Sequence, residues 1–129
     1  MNERMAQELR LLRTRFPNLD YRDDGQWVLL PGWRVPTTLW DHKHIDICFQ
    51  IPGGYPGQKP YGFYVSPRIA LRDGRHPNNF TDSGEPPFAG EWRKFSWDAP
   101  EWRATVDLST GCNLLNWVFT FDHRFAEGA

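Results

Sequence analysis

Cysteine is scarce in this chain: 129 residues contain two, Cys48 and Cys112. They stand far apart in apolar runs, which excludes a dense disulfide framework and reads as two reduced thiols packed in a core. Long hydrophobic runs are missing as well. No stretch approaches the about 18 apolar residues of a membrane span, so no membrane partner is expected. Neither charge sign is in surplus, since 15 Lys and Arg face 16 Asp and Glu for a net charge of -1. Phosphate binding usually shows as a basic excess, so nucleic acid is not an expected partner either. The opening residues Met1-Asn2-Glu3-Arg4 lack the basic-then-apolar layout of a signal peptide, and a cytoplasmic location is expected.

What the chain does have is aromatic rings, including seven tryptophans, which supply core anchors and leave room for a ligand-binding face. Residues 2–15 predict an amphipathic helix: Met5, Leu9 and Leu12 recur at spacings of four and three, and Pro17 ends it. Strand patterns follow. Gln26–Leu30 is bracketed by Asp24-Gly25 and Pro31-Gly32, and Thr38–Ile51 alternates cleanly, with Ile45, Ile47, Phe49 and Ile51 on one face. After the Pro/Gly-rich connection 52–60, Tyr61–Val65 reads as a third strand. Six Gly and Pro residues then predict a long loop over 72–92, of the kind that is functional or mobile. Residues 106–126 read as a second, largely buried helix with Leu108, Cys112, Leu115 and Phe119 on one stripe. The expected fold is α+β in a single domain, 1–129: helices against an antiparallel meander of three to four strands.

This order, with its punctuation, resembles the ubiquitin-conjugating (UBC) family. Tyr55-Pro56 followed by Pro60 looks like the family's strand-end turn, His76-Pro77-Asn78 matches its His-Pro-Asn tripeptide, and Trp102 looks like its tryptophan after the active segment. Trp92-Arg93-Lys94-Phe95-Ser96-Trp97 is similar to divergent bacterial members found with ubiquitin-like proteins, ThiF-type activating enzymes and JAB-type peptidases. The resemblance therefore implies a UBC-like fold with a long active-site loop and those three kinds of protein partner. It implies no cofactor and no metal. It also implies a conjugating activity that takes the C-terminal acyl group of a ubiquitin-like protein and passes it to an acceptor. One departure is plain: Pro77–Ser96 contains no cysteine, where a thioester-forming member would need one.

Ser96 is the nucleophilic residue nearest the expected place before Trp102, and it becomes the expected acyl acceptor, as an oxyester. A serine needs a neighbouring base, for which His76, His123 and Asp98 are the candidates. Asn78 or Asn79 is expected to stabilise an oxyanion or, on the plainer reading, to make a turn. Both cysteines are expected in the core, because a catalytic thiol needs exposure and an electropositive setting. His42, His44, Asp46 and Cys48 share a strand face with zinc-like ligand types, yet one strand rarely completes a site. Tyr55, Trp92, Trp97 and Trp102 are expected to line the acyl channel. The resemblance gives Arg4, Arg10 and Arg13 a role in docking the activating enzyme. Two other readings stay open: a catalytically inactive UBC variant that binds a ubiquitin-like protein, and an unrelated aromatic-rich binding domain.

Overall fold

The computed structural model describes residues 2–82 and 85–128. Ser83 and Gly84, inside the expected long loop, lie outside the described residues. Helix α1 spans Glu3–Arg13, a turn shorter than expected. Asn2 caps it by accepting the Met5 N–H on Oδ1 at 2.7 Å, the usual way to satisfy a free donor of the first turn. Met5, Leu9 and Leu12 are buried as their spacing required, and Glu8 is buried with them.

Six antiparallel strands follow: β1 (Asp20–Arg22), β2 (Trp27–Arg34), β3 (His44–Gln50), β4 (Phe63–Ser66), β5 (Phe80–Thr81) and β6 (Arg93–Phe95). They form one sheet in the order β1-β2-β3-β4-β6-β5. The meander of three to four strands is thus extended by two short ones. β5 lies inside the segment read as unbroken loop and pairs Phe80 with Phe95. Between Leu30 and Trp33 the β2–β3 register shifts at Pro31-Gly32, where Gly32 takes a φ of 76° that side chains rarely adopt.

The alternation in β3 places Ile45, Ile47 and Phe49 against the helices. Cys48, on the opposite face, is equally buried, because Phe88 and Trp92 of the long loop cover it. Phe88 and Trp92 therefore pack on the outer face of the sheet. Between sheet and helices the core is dense with rings: Trp40 meets Phe80, Phe95 and Phe125 edge-on, and Phe63 stacks on Phe121 at 4.0 Å.

The helix expected over 106–126 is corrected. Residues 106–113 are irregular, and two short helices follow, α2 (Leu114–Phe119) and α3 (Phe121–Glu127). The reason is local competition for the backbone. Asp107 Oδ1 accepts both the N–H and the hydroxyl of Ser109, at 2.9 and 2.8 Å, and the Thr105 hydroxyl donates to the Asp107 carbonyl. Gly111 then sits so tightly that an added Cβ would meet the Arg103 carbonyl at 2.8 Å. Asn113 starts α2 by accepting the Asn116 N–H at 2.8 Å. Cys112 is consequently not on a buried helical stripe.

One carboxylate ties these parts together. Glu8, fully buried, accepts from Arg4 Nε at 3.1 Å, from the Leu114 N–H at 3.0 Å and from the Tyr55 hydroxyl. It joins α1, the Tyr55-Pro56 turn and the first turn of α2. Removing its side chain leaves buried donors without an acceptor, a loss of about 1–3 kcal/mol for each group stranded. Glu8→Ala is expected to lower unfolding stability by about 3 kcal/mol, and Tyr55→Phe by about 1 kcal/mol, in urea titrations. A Glu8→Ala protein within about 0.5 kcal/mol of wild type would refute this role.

Candidate active site

Ser96 directly follows β6 and is half-buried; its N–H donates to the Asn79 carbonyl at 2.9 Å. Its hydroxyl has no hydrogen-bond partner among the described residues. Among the described residues no hydrogen bond joins Ser96 to Asp98, His76 or His123, the bases expected beside it. Asp98 forms an ion pair with Lys59 at 2.7 Å, and that bond first, then the Ala99 N–H, holds its carboxyl below the usual carboxylate range. His76 is exposed and acts on Asp82, whose carboxyl is held low chiefly by its bond to Arg93. Asn78 and Asn79 lie in a turn, with Asn79 at a φ of 56°. The Asn78 carbonyl accepts from Arg124 at 2.8 Å, so the backbone of this pair does structural service.

The tryptophans divide between two sides of the sheet. Trp92 is buried on the outer face with Cys48 and Phe88 and gives its N–H to the Phe88 carbonyl at 3.0 Å. It takes no part in a common wall with Trp97 and Trp102. Those two line a cavity of about 280 Å³ beside α2, together with Asp98, Cys112, Trp117 and His123. Trp97 donates to the Thr120 hydroxyl and Trp102 to the Pro56 carbonyl, both at 2.9 Å. Tyr55 is buried and packs its ring on Trp102 at 5.8 Å, so it supports the wall from behind. Burial, and then Glu8, pushes its hydroxyl pKa up.

Cys112 is half-buried on this cavity. Its N–H donates to the Arg103 carbonyl at 2.7 Å, and its Sγ accepts the Arg103 N–H at 3.3 Å. Arg4 holds the same loop from the other side, donating to the carbonyls of Thr105 and, at 3.3 Å, Cys112. Arg4 is thus an internal strut, whereas Arg10 and Arg13 are exposed on α1. The expectation of a core cysteine is overturned for Cys112 because the helix begins two residues later. Breakers at Ser109, Thr110 and Gly111 and the cap-forming Asn113 were the signal for that boundary.

For Cys48 the core reading agrees with its position. It is fully buried, and burial, followed by Asp46, pushes its thiol pKa up. The ligand types noted around it do not converge: His42 bonds Asp41 at 2.7 Å, and Asp46 accepts the Gly32 N–H at 3.2 Å. Among the described residues no group of three His, Cys, Asp or Glu is placed to hold a metal ion. A larger cavity of about 570 Å³ lies along Gln50, Lys59, Tyr61, Tyr64 and Lys94. Its lining offers lysines and tyrosines but no serine, thiol or imidazole.

The sheet, the segment after β6, the Cys112 loop and α2 all fall inside residues 8–120, which match the model of prokaryotic E2 family E. The chain belongs to that family. No curated protein and no solved structure matches it. Among the described residues no helix is long and apolar enough to cross a membrane.

For a member of an E2 family the relevant chemistry is nucleophilic, and the segment between β6 and α2 carries Ser96 directly after β6 and Cys112 shortly before α2. Their environments differ in access. A disulfide-exchange reagent such as dithiobis(nitrobenzoate) is expected to titrate one thiol of the native protein, Cys112, with the second appearing only on unfolding. Two fast thiols, or none, would contradict the burial described here.

Proposed function

We propose that this chain is a ubiquitin-like-protein conjugating domain: it receives the C-terminal acyl group of a ubiquitin-like protein from an activating enzyme and hands it to an acceptor amine. The observation that carries this reading is membership of prokaryotic E2 family E across residues 8–120. Its support in the molecule is a half-buried nucleophile-bearing segment beside an open cavity walled by Trp97 and Trp102. The activating enzyme is proposed to be of the ThiF type, with a JAB-type peptidase as a further partner of the same pathway.

The acyl acceptor we propose is Ser96, as an oxyester, because it is the nucleophilic residue nearest the expected place before Trp102. Serine is the weaker nucleophile at neutral pH, and an oxyester is less reactive toward amines than a thioester, so transfer from it would be slow or gated. With Asp98 held by Lys59 and His76 beside Asp82, the Ser96 proton would pass to a base that the activating enzyme or the acceptor supplies.

The test mixes the protein with its cognate activating enzyme, the mature ubiquitin-like protein and ATP, and resolves the products on denaturing gels with and without thiol reductant and hydroxide. Conjugation is expected to depend on both ATP and the activating enzyme. A band lost in hydroxide, stable to reductant and absent from Ser96→Ala identifies the serine oxyester. Retained binding of the ubiquitin-like protein without any covalent band would replace the enzyme by an adaptor.

A further inference from the structure

The chain has three lysines against twelve arginines, and two of the three, Lys59 and Lys94, line the cavity of about 570 Å³. Gln50, Gln58, Tyr61 and Tyr64 share that lining, and no Asp or Glu does. The two ammonium groups are not alike. Lys59 is paired with Asp98 at 2.7 Å. Lys94, half-buried, has no anion and no hydrogen-bond acceptor among the described residues; its Nζ lies over the Tyr64 ring, 5.6 Å from the centroid. A ring face satisfies a partly desolvated ammonium less well than a carboxylate does. The stem of Lys94 is also given its place. Gly62, at a φ of 78°, lies so close that an added Cβ would meet Lys94 Cε at 2.8 Å, and a side chain there would displace the lysine.

This cavity borders the acyl acceptor. Lys94 and Ser96 stand two residues apart with core-facing Phe95 between them, about 7 Å along an extended chain. The Gly62 N–H donates to the Trp97 carbonyl at 2.8 Å and ties the cavity's backbone to the same segment. Resting on the conjugating function proposed above, we propose that the cavity binds an acidic segment of the acceptor polypeptide, with a carboxylate of that segment on Lys94 Nζ. The charge logic is that of an acceptor. An incoming lysine arrives chiefly as an ammonium, which the cations beside Ser96 repel. A carboxylate carried by the same polypeptide reverses the sign of that encounter. The lining also suits a peptide backbone. Gln50 uses only its Nε2 and Gln58 only its Oε1 within the described fold, which leaves one amide acceptor and one amide donor. The volume is within the range of sites that hold a small ligand or a few residues of a chain.

A rhodamine-labelled peptide with one lysine among glutamates, beside its counterpart with glutamines, tests the site by fluorescence anisotropy without ATP or activating enzyme. The acidic peptide is expected to bind at least about tenfold more tightly at low salt, with the difference shrinking as salt screens it. Lys94→Gln should weaken its binding by about fivefold, and Lys94→Arg should restore most of that loss. Lys43→Gln, the same charge change at an exposed position away from the cavity, should bind as wild type. Circular dichroism checks that each variant is folded. Equal affinity for the two peptides, or equal losses in Lys43→Gln and Lys94→Gln, would overturn the inference. So would displacement of the peptide by inorganic phosphate where chloride of the same ionic strength has no effect, which would make the cavity a phosphate site.

The ATP-dependent reaction, with both peptides offered as acceptors, separates the two claims. A Ser96 ester that transfers equally well to the acidic and the neutral peptide removes the cavity's role and keeps the conjugating function. Binding that depends on Lys94, with no ester formed in wild type, removes the conjugating function and leaves a site for acidic peptides.

Discussion

A buried carboxylate is the constraint around which this molecule is arranged. Taking Glu8 out of water is costly unless every lone pair is met by a donor, and the fold meets it with the Arg4 guanidinium, the Tyr55 hydroxyl and the Leu114 N–H. Those donors come from the first helix, the turn after β3 and the start of α2, regions far apart in the chain. Each is then positioned by something other than hydrophobic contact. Oily packing is tolerant of small slips, whereas three hydrogen bonds converging on one group are not. The consequence spreads outward. Tyr55 fixed at its hydroxyl presents its ring to Trp102, and the next residue, Pro56, accepts the Trp102 N–H. Arg4, fixed by Glu8, reaches on to the carbonyls of Thr105 and Cys112. The carboxylate thereby shapes one wall of the cavity beside α2 without touching it.

The aromatic core supplies the opposite kind of order. Phe63, Phe95, Phe121, Phe125 and Trp40 form a continuous set of stacked and edge-on contacts between sheet and C-terminal helices. Rings of this size bury large apolar areas, and α2 and α3, six and seven residues long, depend on them. Helices so short are unstable alone, so it is packing through Trp117, Phe121 and Phe125 that keeps them helical. Trp117 holds two positions at once: its ring contacts Phe49 and Phe121, and it also faces the cavity. Its Nε1–H has no hydrogen-bond partner among the described residues.

Periodicity made much of this legible. The stripe Met5, Leu9, Leu12 and the alternation Ile45, Ile47, Phe49 are buried as their spacing required, because a period of 3.6 or 2 must face a core somewhere. The Tyr55-Pro56 turn and Trp102 were recognisable as punctuation, and they do meet. What stayed hidden were facts of partnership. Glu8 reads as a solvent residue of an amphipathic helix, since nothing local announces an arginine four residues before it bending inward and a tyrosine arriving from position 55. β5 is too short to show a pattern. The stretch 106–113 carried apolar residues at helical spacing, yet Asp107, Ser109 and Asn113 bind their own backbone more readily than they extend a helix. That one misplaced boundary sent Cys112 into the core on paper, and it faces a cavity in the molecule.

The position of Arg4 bears on how the first helix meets partners. A cation on the rim of an interface steers encounter, and Arg10 and Arg13 are exposed on α1. Arg4 is committed: its side chain is 15% exposed and bonded to Glu8 and to the loop that ends in Cys112. A partner that docked on α1 through Arg10 and Arg13 would leave the strut in place and the thiol fixed. One that drew Arg4 outward would leave the Glu8 carboxylate with less compensation and free the carbonyls of Thr105 and Cys112. The energetic penalty of stranding a buried carboxylate argues for the first mode. The exposed face of α1 is therefore the one carrying Arg10 and Arg13, and the face carrying Met5, Leu9 and Leu12 belongs to the core.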